Sequence, residues 1–157
     1  MAIVVLDNST TLCPMGHYCP QGTRFSQEFP CPIGSFNNRT GLLSVTDCTP
    51  CLGGYYCPMV GMVTPTDVCD AGYFCKQSAN ISTPDQGSDA NVCPIGHYCP
   101  AATADPVPCP KGSYSNQTRL ESSSDCTVCP AGSYCQQTAM VEVSGPCDAG
   151  FYCETGS

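Results

Sequence analysis

The spacing of the cysteines constrains this chain more than any other feature of its sequence. Sixteen cysteines occur among 157 residues, a density typical of a disulfide scaffold. They form two sets of eight, and the second set is the first shifted by 80 residues for two members and by 78 for the other six. Each set contains C-x5-C and then C-x16-C-x2-C-x5-C-x11-C-x5-C, so the chain holds two copies of one repeat. The two sets are Cys13, Cys19, Cys31, Cys48, Cys51, Cys57, Cys69 and Cys75, then Cys93, Cys99, Cys109, Cys126, Cys129, Cys135, Cys147 and Cys153.

A shorter repeat lies inside the longer one. The phrase C-x2-G-x-[YF] occurs eight times, beginning at Cys13, Cys31, Cys51, Cys69, Cys93, Cys109, Cys129 and Cys147. Glycine adopts positive φ without steric cost, and a proline after the first cysteine fixes φ, so the phrase predicts a tight turn. We expect the aromatic ring of each phrase to lie against a disulfide.

The remaining composition cannot supply an ordinary hydrophobic core. Leu, Ile, Val and Phe together number 26, whereas Gly and Pro number 15 each. Burial alone therefore cannot offset the conformational entropy of the chain, and cross-links must contribute. We predict a small disulfide-rich fold, an elongated tandem array of short β-hairpins and irregular loops with essentially no helix.

The spacing does not determine the full disulfide connectivity. We favour the pairs Cys31–Cys48 and Cys109–Cys126, each of which closes a long loop. Two schemes stay open for the C-x5-C blocks. Either each block closes on itself, or adjacent blocks interlace, for example Cys51 with Cys69 and Cys57 with Cys75.

The repeats divide the chain into five segments. Residues 13–75 form the first cysteine-rich repeat and 93–153 the second, with a linker at 76–92. Residues 1–12 are expected to be a linker or a strand from a preceding element, and 154–157 the start of a further linker. The β-prone run Ala2–Leu6 is expected either to add as a strand to a neighbouring domain or protomer, or to be the end of a preceding domain's last strand or a disordered terminus.

The cysteines and the charge indicate the compartment and exclude two classes of partner. Thiols act as cross-links only where they stay oxidised, so we expect an extracellular or cell-surface location. The sequence has no recognisable signal peptide or apolar span, which favours a fragment of a longer precursor. The net charge is −8, with five Lys and Arg. We therefore expect neither nucleic-acid binding nor direct membrane insertion.

Glycans are the only attached groups that the sequence predicts, and we expect no cofactor. Four N-x-[ST] sequons occur, at Asn8, Asn38, Asn80 and Asn116. Asn38 and Asn116 hold the same position in the two repeats, inside the C-x16-C loop, where a surface glycan is tolerated.

No residue pattern predicts catalysis or a metal site. The pairs Cys48/Cys51 and Cys126/Cys129 have the C-x2-C spacing of redox or zinc motifs, but they recur inside a cross-link framework and stand far apart. His17 and His97 recur as spacers of a turn. Asp70 and Asp148, in CDAG, are expected to cap that turn through side-chain hydrogen bonds to the backbone.

The stretch CPIGSFNNRTGLLSVTDCTPCLGGYYCP, at 31–58, resembles the extracellular cysteine-rich repeats of the ephrin-receptor-like or GCC2/GCC3 type. It is more distantly similar to the modules of tumour-necrosis-factor receptors. In its runs of CPxGxYC the chain is also similar to cell-surface proteins of protists and algae, including mastigoneme proteins. The resemblance implies an extracellular, largely β or irregular rod with a structural or adhesive role.

These observations favour an extracellular structural protein over an enzyme. We expect a glycosylated, disulfide-linked rod that forms part of a cell-surface filament or coat. Its expected partners are further copies, or neighbouring repeats of the same or a related protein. The alternative is a receptor-ectodomain or adhesion module that binds a protein ligand.

Overall fold

The structure is a computed structural model that describes residues 11–157. The strand expected at Ala2–Leu6 lies outside the described residues. Between residues 11 and 157, the helical segments are two 3-10 turns of three residues each, Val45–Asp47 and Ser123–Asp125. The expectation of a small disulfide-rich fold of short hairpins with essentially no helix is confirmed.

In the part of the chain that the structure describes, twelve strands of two or three residues pair in antiparallel fashion as six hairpins. The pairs are β1 (Ser35–Phe36) with β2 (Thr49–Pro50), β3 (Tyr55–Tyr56) with β4 (Asp67–Val68), β5 (Tyr73–Cys75) with β6 (Ala90–Val92), β7 (His97–Tyr98) with β8 (Val107–Pro108), β9 (Ser113–Tyr114) with β10 (Thr127–Val128), and β11 (Ser133–Tyr134) with β12 (Gly145–Pro146).

The hairpins belong to a repeated element that we call a rung. A rung begins at the first cysteine of the phrase C-x2-G-x-[YF] and ends at the residue before the next such cysteine. In rungs 2 to 7, the strand after the turn glycine pairs with the residues just before the next rung. Rung 1 has a single bridge at this place, between His17 and Pro30. Rungs 1 to 8 begin at Cys13, Cys31, Cys51, Cys69, Cys93, Cys109, Cys129 and Cys147.

The glycine of the phrase forms a turn in every rung. The residue after it donates its backbone N–H to the carbonyl three residues earlier, as Ser35 does to Pro32 at 3.1 Å. The eight turn glycines have φ between +74° and +92°, the sign that the third position of a type II turn requires. The turn predicted from the phrase is confirmed.

Each turn glycine also joins its rung to the next by two backbone hydrogen bonds. The N–H of Gly54 donates to the carbonyl of Cys75 at 2.7 Å, and the carbonyl of Gly54 accepts from the N–H of Cys69 at 2.8 Å. The same reciprocal pair occurs at all seven junctions between successive rungs. The peptide groups of the turn, which would otherwise face solvent, are thereby satisfied.

A second pair of backbone hydrogen bonds completes each junction. It involves what we call the tail residue, a residue with positive φ that lies three or four positions after the seventh residue of its rung. The tail residue Ser78 donates its N–H to the carbonyl of Cys51 at 3.0 Å, and the N–H of Cys57 donates to Ala79 at 2.8 Å. This pair also occurs at all seven junctions. The tail residues of rungs 1 to 8 are Gly22, Gly41, Gly61, Ser78, Ala102, Arg119, Ala139 and Gly156.

We call the series of rungs joined by these four-bond junctions the ladder. Residues 76–92, which the sequence assigns to a linker, take part in it. They contain the tail residue of rung 4, Ser78, and the strand β6 that pairs with β5. The junction between rungs 4 and 5 has the same four hydrogen bonds as the others, including Cys93 N–H to the carbonyl of Gly72 at 2.8 Å. The two sequence repeats therefore form one continuous ladder.

The core consists of small clusters centred on disulfides. Tyr18 of rung 1 packs against Cys31 and Cys48 of rung 2, where the buried Leu42 completes the cluster. The rings of Phe36, Tyr56, Phe74 and Tyr98 lie in the same way on the disulfides of rungs 3, 4, 5 and 6. The ring–disulfide contact predicted for every phrase is found in rungs 1 to 5, where the disulfide belongs to the following rung. In rung 8 the ring of Tyr152 is exposed instead.

Contacts extend to the second neighbour along the ladder. A methyl group at Gly54 would overlap the backbone of Ala102, the tail residue two rungs further on. The guanidinium of Arg119, the tail residue of rung 6, lies 5.3 Å from the ring centre of Tyr73 in rung 4. The turn glycines of rungs 1 to 6 are buried, whereas Gly132 and Gly150 of rungs 7 and 8 are exposed.

The close approach at Gly54 yields a testable comparison with Gly132. Both have nearly the same φ, +83° and +85°, but a methyl group at Gly132 would meet no atom within 4 Å. Either glycine-to-alanine change places alanine in a left-handed conformation, at a cost of about 1–2 kcal/mol. We expect Gly54→Ala to lose about 1–3 kcal/mol more, because the methyl group also displaces the tail of rung 5. Urea unfolding with the disulfides intact measures both, and equal losses would contradict the second-neighbour contact.

Candidate functional site

The disulfides are the feature on which the expected role depends, and each lies within one rung. Every C-x5-C block closes on itself, as in Cys51–Cys57, with 5.9 Å between the Cα atoms. The structure does not use the interlaced scheme. The long loops are closed by Cys31–Cys48 and Cys109–Cys126, the two pairs favoured from the sequence. The other five pairs are Cys13–Cys19, Cys69–Cys75, Cys93–Cys99, Cys129–Cys135 and Cys147–Cys153.

The turn explains why a block closes on itself. Reversal of the chain at the glycine brings the first and seventh residues of C-x2-G-x-x-C together. Their Cα atoms lie 5.8–6.5 Å apart across the six blocks, within the range that a disulfide spans. The loop is thus closed twice, by backbone hydrogen bonds and by the sulfurs.

The C-x2-C pairs and the histidines have structural surroundings. Cys48 and Cys51 belong to different disulfides, with Cys31 and Cys57 as partners, and Cys126 and Cys129 are divided in the same way. Both histidines hydrogen-bond through Nδ1 to the carbonyl two residues earlier, at 3.1 Å for His17 and 3.0 Å for His97. Within residues 11–157 no group of three metal-ligating side chains comes together.

Rungs 2 and 6 lack the second cysteine, and polar residues replace it. Asn37 stands at that position in rung 2 with 1% of its surface exposed. Its Oδ1 accepts from the N–H of Arg39 at 2.8 Å, and its Nδ2 donates to the carbonyls of Arg39 at 2.8 Å and His17 at 3.3 Å. Ser115 of rung 6 is also buried and bonds the N–H and the carbonyl of Gln117. The phrase C-x2-G-x-[YF] ends one position earlier and does not include either residue, although each is the seventh residue of its rung, counted from Cys31 or Cys109.

The sequons that the structure describes lie at the surface. Asn38, Asn80 and Asn116 are all exposed, and Asn8 lies outside the described residues. Asn38 and Asn116 directly follow the buried Asn37 and Ser115, so they occupy equivalent places in rungs 2 and 6. A glycan attached at these positions would point away from the ladder core.

The long loops of rungs 2 and 6 end in capped 3-10 turns. The carboxylate of Asp125 accepts from the backbone N–H groups of Ser122 at 2.8 Å and Glu121 at 3.0 Å. These N–H groups, and then the Ser122 hydroxyl, hold the pKa of Asp125 below its usual range. Asp47 accepts from Ser44 in the same way at 2.9 Å. The caps fix the backbone directly before Cys48 and Cys126, the second cysteines of the two long disulfides.

The turn cap expected of Asp70 is wrong. Its carboxylate accepts from the hydroxyl of Ser82 at 3.3 Å, twelve residues away. The turn is closed instead by the main chain, since the N–H of Tyr73 donates to the Asp70 carbonyl at 3.3 Å. The turn glycine already allows this geometry, so no side-chain bond is needed.

The surface carries shallow depressions. One of them, of about 560 Å³, lies within the loop of residues 77–90 and includes the exposed Asp85 and Asp89. No helix in residues 11–157 is long enough to cross a membrane. The features found in the described residues are disulfides that close the individual rungs and glycosylation sequons exposed at the surface.

The comparisons with known proteins give partial matches. The chain matches no protein-family model. Over 83 residues it is 34% identical to the ABC-type transporter claG of Penicillium crustosum, covering 49% of this chain and 11% of the transporter. Over 100 residues it is 33% identical to ABC transporter G family member 28 of Arabidopsis thaliana, covering 58% of this chain and 9% of that protein. The chain spans about a tenth of the length of these curated relatives.

The adjacent residues Asn37 and Asn38 give a matched test of buried and exposed asparagine. We expect Asn37→Ala to lower the free energy of unfolding by about 2 kcal/mol, because backbone groups of Arg39 lose their partners. Asn37→Ser should lose less, since Ser115 already serves at the equivalent position. Asn38→Ala, made in a host that adds no glycans, should change the value by less than about 0.5 kcal/mol. Urea unfolding of the oxidised proteins measures all three, and equal losses at the two asparagines would contradict the role given to Asn37.

Proposed function

We propose that this protein is an extracellular structural rod, a glycosylated building block of a cell-surface filament or coat. The observation that carries the proposal is the repetition of one junction. The same four backbone hydrogen bonds, with N···O distances of 2.7–3.0 Å, join the eight rungs at all seven junctions between them. A chain built in this way places rungs in a line, and repeat arrays of this kind serve as extended structures.

The division of bonding supports a mechanical role. Covalent links close each rung, whereas hydrogen bonds and ring contacts join the rungs. Tension along the chain would separate rungs by breaking hydrogen bonds that can form again. The cysteines of rungs 3, 4 and 5 are 0% exposed, which protects their disulfides from reducing agents. Small closed loops also leave little extended chain for a protease to bind.

The surface chemistry supports exposure to an extracellular medium. The net charge of −8 opposes non-specific association of the rods in solution. Glycans at Asn38, Asn80 and Asn116 would add hydrated bulk on exposed positions without entering the core. Disulfides persist in oxidising compartments, which favours a location outside the cytosol.

A second candidate is a module of a larger membrane protein that acts as a receptor ectodomain or adhesion segment. The two partial matches favour it, because both are to proteins named as ABC transporters. On this alternative the ladder would be an external domain that binds a protein ligand. The open depressions and the scattered exposed apolar side chains offer no deep pocket for a small molecule in residues 11–157.

Single-molecule stretching tests the mechanical role. The disulfides enclose six loops with a sequence separation of 6 and two with a separation of 17, which is half of the chain from Cys13 to Cys153. We expect full extension of the oxidised chain to fall short of that of the reduced chain by about 200 Å. This allows about 3.5 Å for each released residue and subtracts the 5.8–6.5 Å that each disulfide already spans between its Cα atoms.

A pair of variants controls this measurement. Replacing Cys31 and Cys48 by alanine should release about 50 Å of additional length, and replacing Cys51 and Cys57 only about 15 Å. The rungs should also re-form on relaxation of the oxidised chain. Equal extension with and without reductant would contradict the locally closed rungs.

Immunogold electron microscopy of the source cells separates the two candidates. The structural role predicts label in regular rows along a filament or coat, retained after detergent extraction of the membrane. The receptor or transporter-associated role predicts label dispersed over the membrane and lost on extraction. Loss of the label with detergent would reject the proposed rod.

A further inference from the structure

Residues from three successive rungs lie side by side on the surface of the ladder, and we call such a set a row. A row consists of the third residue of one rung, the eighth residue of the next, and the second residue after the tail residue of the rung beyond. The row Gly53, Lys76 and Ala104 shows how close its members are. A methyl group placed on Gly53 would meet the carbonyl oxygen of Lys76 and the methyl carbon of Ala104 at 2.9 Å each. The members of a row are therefore immediate neighbours.

The row Ile95, Asn116 and Val141 places a glycosylation sequon between two exposed apolar side chains. Ile95 is 45% exposed and Val141 is 38% exposed, and Asn116 between them is exposed as well. Water therefore covers apolar surface on both sides of the asparagine. Such surface is stabilised when another apolar group displaces the water.

Backbone hydrogen bonds fix the position of Asn116 within its row. Ser115, the residue before it, accepts from the N–H of Gly96 at 2.8 Å and donates its own N–H to the carbonyl of Met140 at 2.9 Å. Arg119, three residues after Asn116, donates its N–H to a carbonyl of rung 5 at 3.0 Å. The sequon is thus held at both ends, so a glycan attached to it starts from a defined place. Little main-chain freedom is lost when that glycan packs against the ladder.

The first sequence repeat contains the same arrangement. Its row is Met15, Asn38 and Val63, in which Met15 is 47% exposed and Val63 is 38% exposed. Asn37, the residue before the sequon, donates its N–H to the carbonyl of Met62 at 2.8 Å. A sequon between two apolar side chains therefore occurs once in each repeat.

Large apolar residues at the start of a row coincide with sequons. Five rows are complete within residues 11–157. The third sequon that the structure describes also belongs to one of them, the row Ile33, Pro58 and Asn80. The two complete rows without a sequon begin with a small residue, Gly53 or Ala71. Exposed apolar surface at these turns is therefore present where a glycan can cover it.

We propose that each row with a sequon is a binding site for the first sugar of the chain's own N-linked glycan. The N-acetylglucosamine attached to Asn116 lies along its row, with its acetyl methyl group and apolar ring face on Ile95 and Val141. Its hydroxyl groups face water. The glycan on Asn38 covers the apolar pair of its own row in the same way. The inference rests on the proposed glycosylation and adds the surface on which the sugar packs.

Covalent attachment favours the chain's own glycan over any free partner. A sugar tethered within the row has an effective concentration of about 1 mM or more. A second protein would have to displace this sugar before it could reach Ile95 or Val141. The apolar rows are therefore covered surfaces of the glycosylated protein.

A double-mutant cycle on protein from a glycosylating host tests the contact. An endoglycosidase first trims each glycan to one N-acetylglucosamine, and mass spectrometry confirms that Asn116 carries it. Removing this sugar with Asn116→Gln should raise the equilibrium constant of unfolding about fivefold, because about 40 Å² of apolar surface returns to water. In the variant Ile95→Ser/Val141→Ser the same removal should raise it less than about twofold. Urea unfolding with the disulfides intact measures all four proteins.

Leu52→Ser is the matched control for these substitutions. Leu52 is exposed to a similar extent, 51%, but it is the second residue of its rung and belongs to no row. Asn116→Gln should therefore still raise the equilibrium constant of unfolding about fivefold in this background. An equal effect of the sugar with and without Ile95 and Val141 would overturn the inference.

Nuclear magnetic resonance of the trimmed glycoprotein with labelled isoleucine methyl groups tests the contact directly. We expect a nuclear Overhauser effect between the acetyl methyl group of the sugar on Asn116 and the δ-methyl group of Ile95. Its absence from protein with an occupied Asn116 would reject the inference and leave the proposed rod standing. If protein from the source cells carries no sugar at Asn38 or Asn116, the inference and the glycosylated form of the proposed rod both fail.

Discussion

The peptide group of the turn glycine is the interaction on which the ladder depends. Gly54 gives its N–H and its carbonyl to the next rung, while its α-carbon lies under the tail of the rung beyond. A residue with no side chain thus couples three successive rungs. The disulfides do something different, because each closes a single rung and none joins two. Covalent strength is local, and the order along the ladder comes from backbone hydrogen bonds that repeat with the cysteine spacing.

Much of this arrangement could be predicted from the sequence because it depends on local chemistry. The turn needs positive φ at one place, and glycine stands there in all eight phrases. The scarcity of aliphatic residues excludes a single core, and frequent Gly, Pro and Cys exclude long helices. Loop closure over short separations also favours pairs such as Cys31–Cys48, although spacing alone left the C-x5-C blocks open.

The parts that could not be predicted depend on how rungs stack. A ring two residues after a turn glycine can reach its own disulfide or that of a neighbour, and only the stacking places Tyr18 on Cys31 and Cys48. The buried Asn37 was overlooked because the sequence phrase ends at the aromatic, one position earlier. The segment 76–92 differs in length and composition from the other connections, so its sequence favoured a linker, yet it carries the same junction bonds.

The lengths of the connections between rungs have a consequence for how such a chain can change. Ten positions separate Cys99 from Cys109, whereas eighteen separate Cys75 from Cys93, and both junctions keep the same hydrogen bonds. Residues can be inserted or deleted in these loops without shifting the rungs that follow. The ladder therefore allows its outer surface to diversify in length and sequence. A foreign peptide inserted between the tail of rung 4 and strand β6 would be presented at one fixed position along the ladder, and the rungs would not change.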